Sequence, residues 1–257
     1  MDSRSVAVFG ADCTTFCPPE GISFVFPGVP FVRCFFSCVP AGSLSLSPAS
    51  DSKATIEGEA ARERLLKGLR LERWVELQQV HGSHMIVDPL PTPLNVSSTL
   101  QGDGVCTREM GLALAIKTAD CQPVLMSNRE GTAIAALHVG WRGNAANFPA
   151  SGLQCFCSAY GLHPSDVLAV RGPSLGPGAA QFVNFYKEWS PFFQPWFNER
   201  NKTMDLWRLT RHQLIEAGMR QDSVFSLDLC THSLPDLFFS HRRGHMGRQA
   251  SLIWIAS

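Results

Sequence analysis

The pattern of apolar and polar positions changes period several times along the chain. Near the start, short apolar runs at 6–9, 22–26 and 31–36 are separated by glycines and prolines, and each reads as a β-strand between turns. Residues 41–52 are rich in serine and read as a loop. The spacing then lengthens. Ala61, Leu65 and Leu69 lie four apart, with Arg62, Glu63 and Lys67 on other faces, which predicts a helix over 57–68 whose last turn Gly68 weakens. Alternation returns over 74–80, a strand ending at His81.

The middle of the chain reads as strand after strand, at 105–107, 112–116, 124–127 and 132–138. The runs 112–116 and 132–137 are continuously apolar rather than alternating. They are expected to be strands covered on both faces, with a buried helical segment as the alternative that period alone leaves open. A helix is expected from Gly143 to about Tyr160, then a strand at 167–170. Another helix covers 205–217, with Asp205 as its N-cap and Gly218 as its stop, and strands at 224–229 and 251–255 close the chain. No repeat or low-complexity linker interrupts this order. The expectation is one mixed α/β domain over 1–257, with about 1–20 forming an extra strand or tail.

Composition narrows the function classes. A chain of 257 residues that is 45% hydrophobic and 17% charged can bury a core without disulfides or a structural metal. Its net charge is zero, which removes the bulk attraction behind non-specific nucleic-acid binding. No apolar run approaches the ~18–20 residues that span a bilayer, and the stretch 6–10 is too brief for a signal-peptide core. A soluble, cytoplasmic monomer with neither nucleic acid nor membrane as partner is expected. The nine cysteines are odd in number, and the spacings 13/17, 34/38 and 155/157 are not metal knuckles. Most therefore read as small buried hydrophobes.

Three side chains stand out against that background. His81 ends an expected strand, Cys121 begins one, and His138 ends one. Strand ends meeting at one sheet edge would bring them together as a three-ligand zinc set with an open fourth position; the alternative is that each is simply packed or hydrogen-bonded. After His138, the segment Gly140-Trp141-Arg142-Gly143 offers close backbone approach, a stacking ring and a guanidinium fork, or else is a structural turn with a core tryptophan. The segment 238–243 places His241, Arg242 and Arg243 beside Phe238 and Phe239. On a neutral protein it suits a small anion, unless it is a solvated basic loop. Residues 172–178 are glycine- and proline-rich enough to line a pocket but match no nucleotide-binding fingerprint.

Taken in order, the motifs carry a resemblance. They are Gln79-Val80-His81-Gly82, Asp103-Gly104, Thr118-Ala119-Asp120-Cys121-Gln122-Pro123, His138-Val139-Gly140-Trp141-Arg142-Gly143, Arg171-Gly172-Pro173, Asp205-Leu206, Cys230-Thr231, Phe239-Ser240-His241-Arg242-Arg243 and Gly247-Arg248. The set resembles the YfiH-like laccase-domain, or polyphenol oxidase, family over about residues 20–257. The resemblance implies one α/β (α+β) domain of mixed sheets with helices on the outside, related in fold to cysteine-hydrolase-like toxin domains. It implies zinc on His81, Cys121 and His138, with copper as the alternative metal. It also implies phosphorolysis of adenosine, inosine and methylthioadenosine, with adenosine deamination. One departure is visible: where relatives carry an Arg and a Gly-Gly turn, the segment 36–46 is shortened and has neither in place.

In that reading Arg142, Arg242 and Arg243 are the candidates for phosphate and Gln79 for substrate, while Asp120 or His241 supplies the proton to the leaving purine. Three other mechanisms use the same residues. Copper-dependent phenol oxidation needs the His-Cys-His set, but a full multicopper enzyme also needs His-x-His pairs, and the chain has none. A metal-free thiol hydrolase would use Cys121 as nucleophile and His138 as base. A non-catalytic binding protein would keep the fold and turn over nothing.

Overall fold

The computed structural model describes residues 14–17, 21–46 and 52–256, with side chains described for 21–46 and 56–256. The strand expected at 6–9 lies outside the described residues. In chain order the elements are β1 (Thr14–Cys17), β2 (Gly21–Val25), β3 (Val32–Ser37), α1 (Ser52–Leu69), β4 (Arg73–Glu76), β5 (Met85–Val87) and β6 (Gly104–Thr107). There follow β7 (Leu112–Thr118), β8 (Gln122–Asn128), β9 (Ile134–Val139), α2 (Trp141–Ala145), α3 (Phe148–Tyr160) and β10 (Val167–Arg171). The last third holds α4 (Phe185–Glu188), β11 (Phe197–Asn198), β12 (Thr203–Met204), α5 (Leu206–Glu216), β13 (Val224–Ser226) and β14 (Gln249–Ile255).

Two six-stranded sheets organise the fold, ordered β1-β2-β3-β14-β7-β4 and β13-β10-β8-β9-β6-β5. Both are mixed: β4 runs parallel to β7, β5 to β6 and β10 to β13, and the other pairs are antiparallel. Strand periodicity explains how they pack. On β7, Leu112, Leu114 and Ile116 point into the core shared by the two sheets, while Ala113 and Ala115 point to the cluster around α1. On β9, Ile134 and Ala136 face the shared core, and Ala135, Leu137 and Val139 face the cluster that includes α3. The continuous apolar runs are therefore strands covered on both faces, and helices cover the outer sides.

Several expected boundaries shift. The strand expected over 74–80 ends at Glu76, so His81 lies in a loop rather than at a strand end. The backbone leaves the ladder there and Gln78 pairs with another segment, its amide donating to the Leu100 carbonyl and its carbonyl accepting the Gly102 amide. Residues 140–143 do not form a turn: Gly140 is the N-cap of α2 and the next three open that helix. Trp141 packs against Phe182 and Trp189, and the Arg142 guanidinium lies over its ring at 4.4 Å. The short elements β5, α4, β11 and β12 were not expected, since runs of two to four residues carry too little periodicity to register. Asp205 does cap α5, accepting from the Arg208 amide at 3.0 Å.

Candidate active site

The chain passes from β7 in one sheet to β8 in the other through only three residues, Ala119, Asp120 and Cys121. Asp120 takes a positive φ of 91° in that crossover, and its neighbours hold it there. Its carboxylate accepts from Thr231 Oγ1 at 2.7 Å, Ser240 Oγ at 3.1 Å and the Arg242 amide at 2.7 Å. Its carbonyl accepts from the Leu175 amide. Asp120 thus ties the crossover to the loop over 231–242, and these bonds engage both carboxylate oxygens. It anchors Cys121 rather than offering a free proton donor.

A second carboxylate, Asp103, positions the two histidines. It is fully buried just before β6 and accepts from the backbone amides of His81 at 2.9 Å and Gly82 at 2.6 Å, with Val80 at 3.3 Å. These bonds hold His81 at φ 60°, a left-handed conformation that histidine tolerates better than most residues. The same carboxylate lies 2.7 Å from His138 Nδ1, and the Asp103 carbonyl accepts the His138 amide. His138 is thereby oriented with Nε2 available to the site. Burial raises the Asp103 pKa, but the bonds from His138, Gly82 and His81 outweigh it and hold the carboxylate below its ordinary value.

The ligand atoms of His81, Cys121 and His138 lie within 4.8 Å of one another, and the two imidazole rings meet edge to face. Burial would push the Cys121 thiol up, yet the two imidazoles beside it bring it below its ordinary value. His138 moves the opposite way: burial opposes its charge, and Cys121 and Asp103 together raise it. A thiolate and two imidazoles, one fixed by an outer carboxylate, suit a borderline cation such as zinc. Gly140 leaves room for that arrangement, since a Cβ there would lie 3.1 Å from Cys121 Sγ and 3.3 Å from His81 Cδ2. The residues present fit a metal. Asp103→Asn must leave at least one of its amide or imidazole donors unpaired, so metal affinity is expected to fall about 10–100-fold, read by chelator competition on the purified protein.

The three ligands open on a cleft of about 420 Å³. Of the residues singled out in the sequence, Gln79, His81, Cys121, His138 and His241 line it. Gln79 is not a free substrate contact: its amide donates to the Lys117 carbonyl and accepts the Lys117 amide, each at 2.8 Å, extending the β4–β7 ladder by a side chain. Arg142, Arg242 and Arg243 are absent from the lining. Arg142 is stacked on Trp141, Arg242 donates to the Gln181 carbonyl beside a neighbouring cavity, and Arg243 donates to the carbonyls of Thr231, His232 and Phe238. The cations that do line the cleft are Lys117 and Arg248. In the sequence Lys117 only follows the apolar run 112–116, and Arg248 stands in a terminal motif. The shortened segment 36–46 contributes Ser45 and Leu46 to the same wall.

The family described as multi-copper polyphenol oxidoreductase laccase matches residues 36–256. A Shigella flexneri protein named purine nucleoside phosphorylase YfiH is 34% identical over 205 residues, covering 77% of this chain and 80% of that protein. A Xylella fastidiosa protein named purine nucleoside phosphorylase is 33% identical over 93% of this chain and 94% of its own length. The crystal structure of the Bacillus licheniformis hypothetical protein YfiH superposes with a TM-score of 0.79 at 22% identity, covering 94% of this chain and 98% of that one.

Proposed function

The chain belongs to the multi-copper polyphenol oxidoreductase laccase family, and on that premise we propose that it is a zinc-dependent purine nucleoside phosphorylase that also deaminates adenosine. The observation that carries this reading is the convergence of His81, Cys121 and His138 at one end of a cleft large enough for a nucleoside. Relatives sharing a third of their residues are named purine nucleoside phosphorylases. In phosphorolysis the bond between ribose C1′ and the purine nitrogen breaks, and its electron pair leaves with the purine. A phosphate oxygen forms the new bond to C1′, and a proton goes to the purine nitrogen. When bound, a metal at the three ligands supplies a Lewis acid that polarises a substrate oxygen or nitrogen.

The chain's own residues do the rest. Asp103 holds His81 and His138 in place, Asp120 holds Cys121, and Gln79 sets the Lys117 backbone. His241 lines the cleft and is exposed, which supports giving it the proton transfer to the leaving purine. Adenosine, inosine and methylthioadenosine are the proposed substrates. In deamination, water replaces the C6 amine of adenosine and ammonia leaves. No helix among the described residues is long and apolar enough to cross a membrane, and we propose a cytoplasmic monomer. Chromatography of inosine and adenosine incubations tests the activities: free base in phosphate buffer, and inosine from adenosine, are expected. Intact nucleosides in every incubation would refute the reading.

A second reading rests on one observation: Asp103, His138 and Cys121 form a carboxylate–imidazole–thiol series like that of cysteine hydrolases. Metal analysis separates the two. A fully active protein that carries no metal favours the thiol hydrolase.

A further inference from the structure

We propose that the wall of this cleft formed by Lys117, Thr118 and Arg248 is an oxyanion seat that takes inorganic phosphate, in place of the arginines at 142, 242 and 243. The proposal rests on the phosphorylase reading for its place in the reaction, but the site is argued from its own chemistry.

The first observation is charge. Fifteen residues line the cleft; two of them, Lys117 and Arg248, are basic, and none is an aspartate or glutamate. Behind Lys117 lies a buried network in which Glu76 Oε2 receives both Arg62 Nη2 at 2.8 Å and Lys117 Nζ at 2.7 Å. One carboxylate faces two cations, so the network carries an excess positive charge. Arg62 is fully enclosed, and Lys117 is the member that reaches the cleft, with its side chain 15% exposed. A small anion in the cleft would balance that excess in a partly dehydrated place, where a charge is worth more than at the surface.

The second observation is independent of charge. Thr118 lines the same cleft, and its hydroxyl is buried and has no hydrogen-bond partner among the described residues. A buried hydroxyl without a partner is costly and uncommon, and a ligand oxygen would satisfy it. Gln249 pairs with Thr118 across the β14–β7 ladder, and its Nε2 is likewise buried and unpartnered. Ser45, Ser97 and Ser98 add small polar side chains to a lining that also holds Leu46 and Leu77. Arg248 is fixed by donating through Nη1 to the carbonyls of His245, Met246 and Gly247. Its position is therefore set before a ligand arrives, which lowers the ordering cost of binding.

The test is calorimetric titration of inorganic phosphate into the metal-bearing protein, its metal content measured alongside. K117M leaves the Arg62–Glu76 pair charge-balanced, and R248M removes a partly exposed side chain, so both are expected to fold. Each should weaken phosphate binding about tenfold or more, with metal content unchanged. T118V should weaken it by a smaller factor, and R248K should recover part of the R248M loss. Unchanged phosphate affinity in K117M and R248M would overturn the proposal, as would a loss seen only in R142M or R242M. If phosphate binds in the predicted way but no base is released from any nucleoside, the seat stands and the phosphorylase reading fails.

Discussion

Cys121→Ala is expected to abolish stoichiometric metal and to lower nucleoside turnover by about a hundredfold or more, beyond what loss of an outer-sphere partner costs. The physical case is local. Cys121 ends the three-residue crossover between the sheets, where Asp120 fixes the backbone through three hydrogen bonds to its carboxylate. The substitution removes the one thiolate donor and leaves both imidazoles in place. Two histidines alone are a weak set for a divalent cation. The crossover and the sheets do not depend on the thiol, so thermal stability of the metal-free forms should differ little. Elemental analysis of wild type and variant, beside product release from inosine, reads both effects. Turnover lost with metal retained would instead favour a nucleophilic role for Cys121.

Glu76→Ala is expected to cost about 3–5 kcal/mol of stability, because it leaves buried cations without their partner. Glu76 and Arg62 have no exposed side-chain surface, and Lys117 has little. Burial already draws the Arg62 guanidinium and the Lys117 ammonium below their ordinary pKa values, with Glu76 opposing that pull in both. Arg62 keeps its bonds to the Leu44 and Leu94 carbonyls and its place over Trp74, which limit the loss. The Ser98 amide loses its acceptor as well. For a chain of this size the melting temperature should fall by roughly 10 °C or more, measured by calorimetry. Glu76→Gln keeps an acceptor for Arg62 and should fall less. A Glu76→Ala melting point within about 2 °C of wild type would contradict the role given to this network.

How much of this was legible beforehand depends on the reach of the interactions. The runs in β7 and β9 could be read as doubly covered strands because their side chains alternate between two cores within one short segment. The three ligands were legible as residue types, and their convergence only through motif order. The strand before His81 is shorter than its alternation because Gln78 bridges to Gln101, and the Asp103 carboxylate, twenty-two residues from His81, then holds the His81 and Gly82 amides. Asp103 has no local signature, since a carboxylate that organises two loops acts through partners distant in sequence. The arginines at 142, 242 and 243 were picked for charge. Arg142 is taken up by its own neighbour Trp141, while the bonds of Arg242 to Gln181 and of Arg243 to the 231–238 carbonyls come from the fold and leave no trace in spacing. Lys117 lies just past the expected strand 112–116, and its role depends on Glu76, forty-one residues earlier.

The most direct test is phosphorus NMR of the purified, metal-bearing protein incubated with inosine and inorganic phosphate. Ribose 1-phosphate should accumulate in step with free hypoxanthine, and no base should appear when phosphate is omitted. Base released together with unphosphorylated ribose, at a rate indifferent to phosphate, would contradict phosphorolysis at this site.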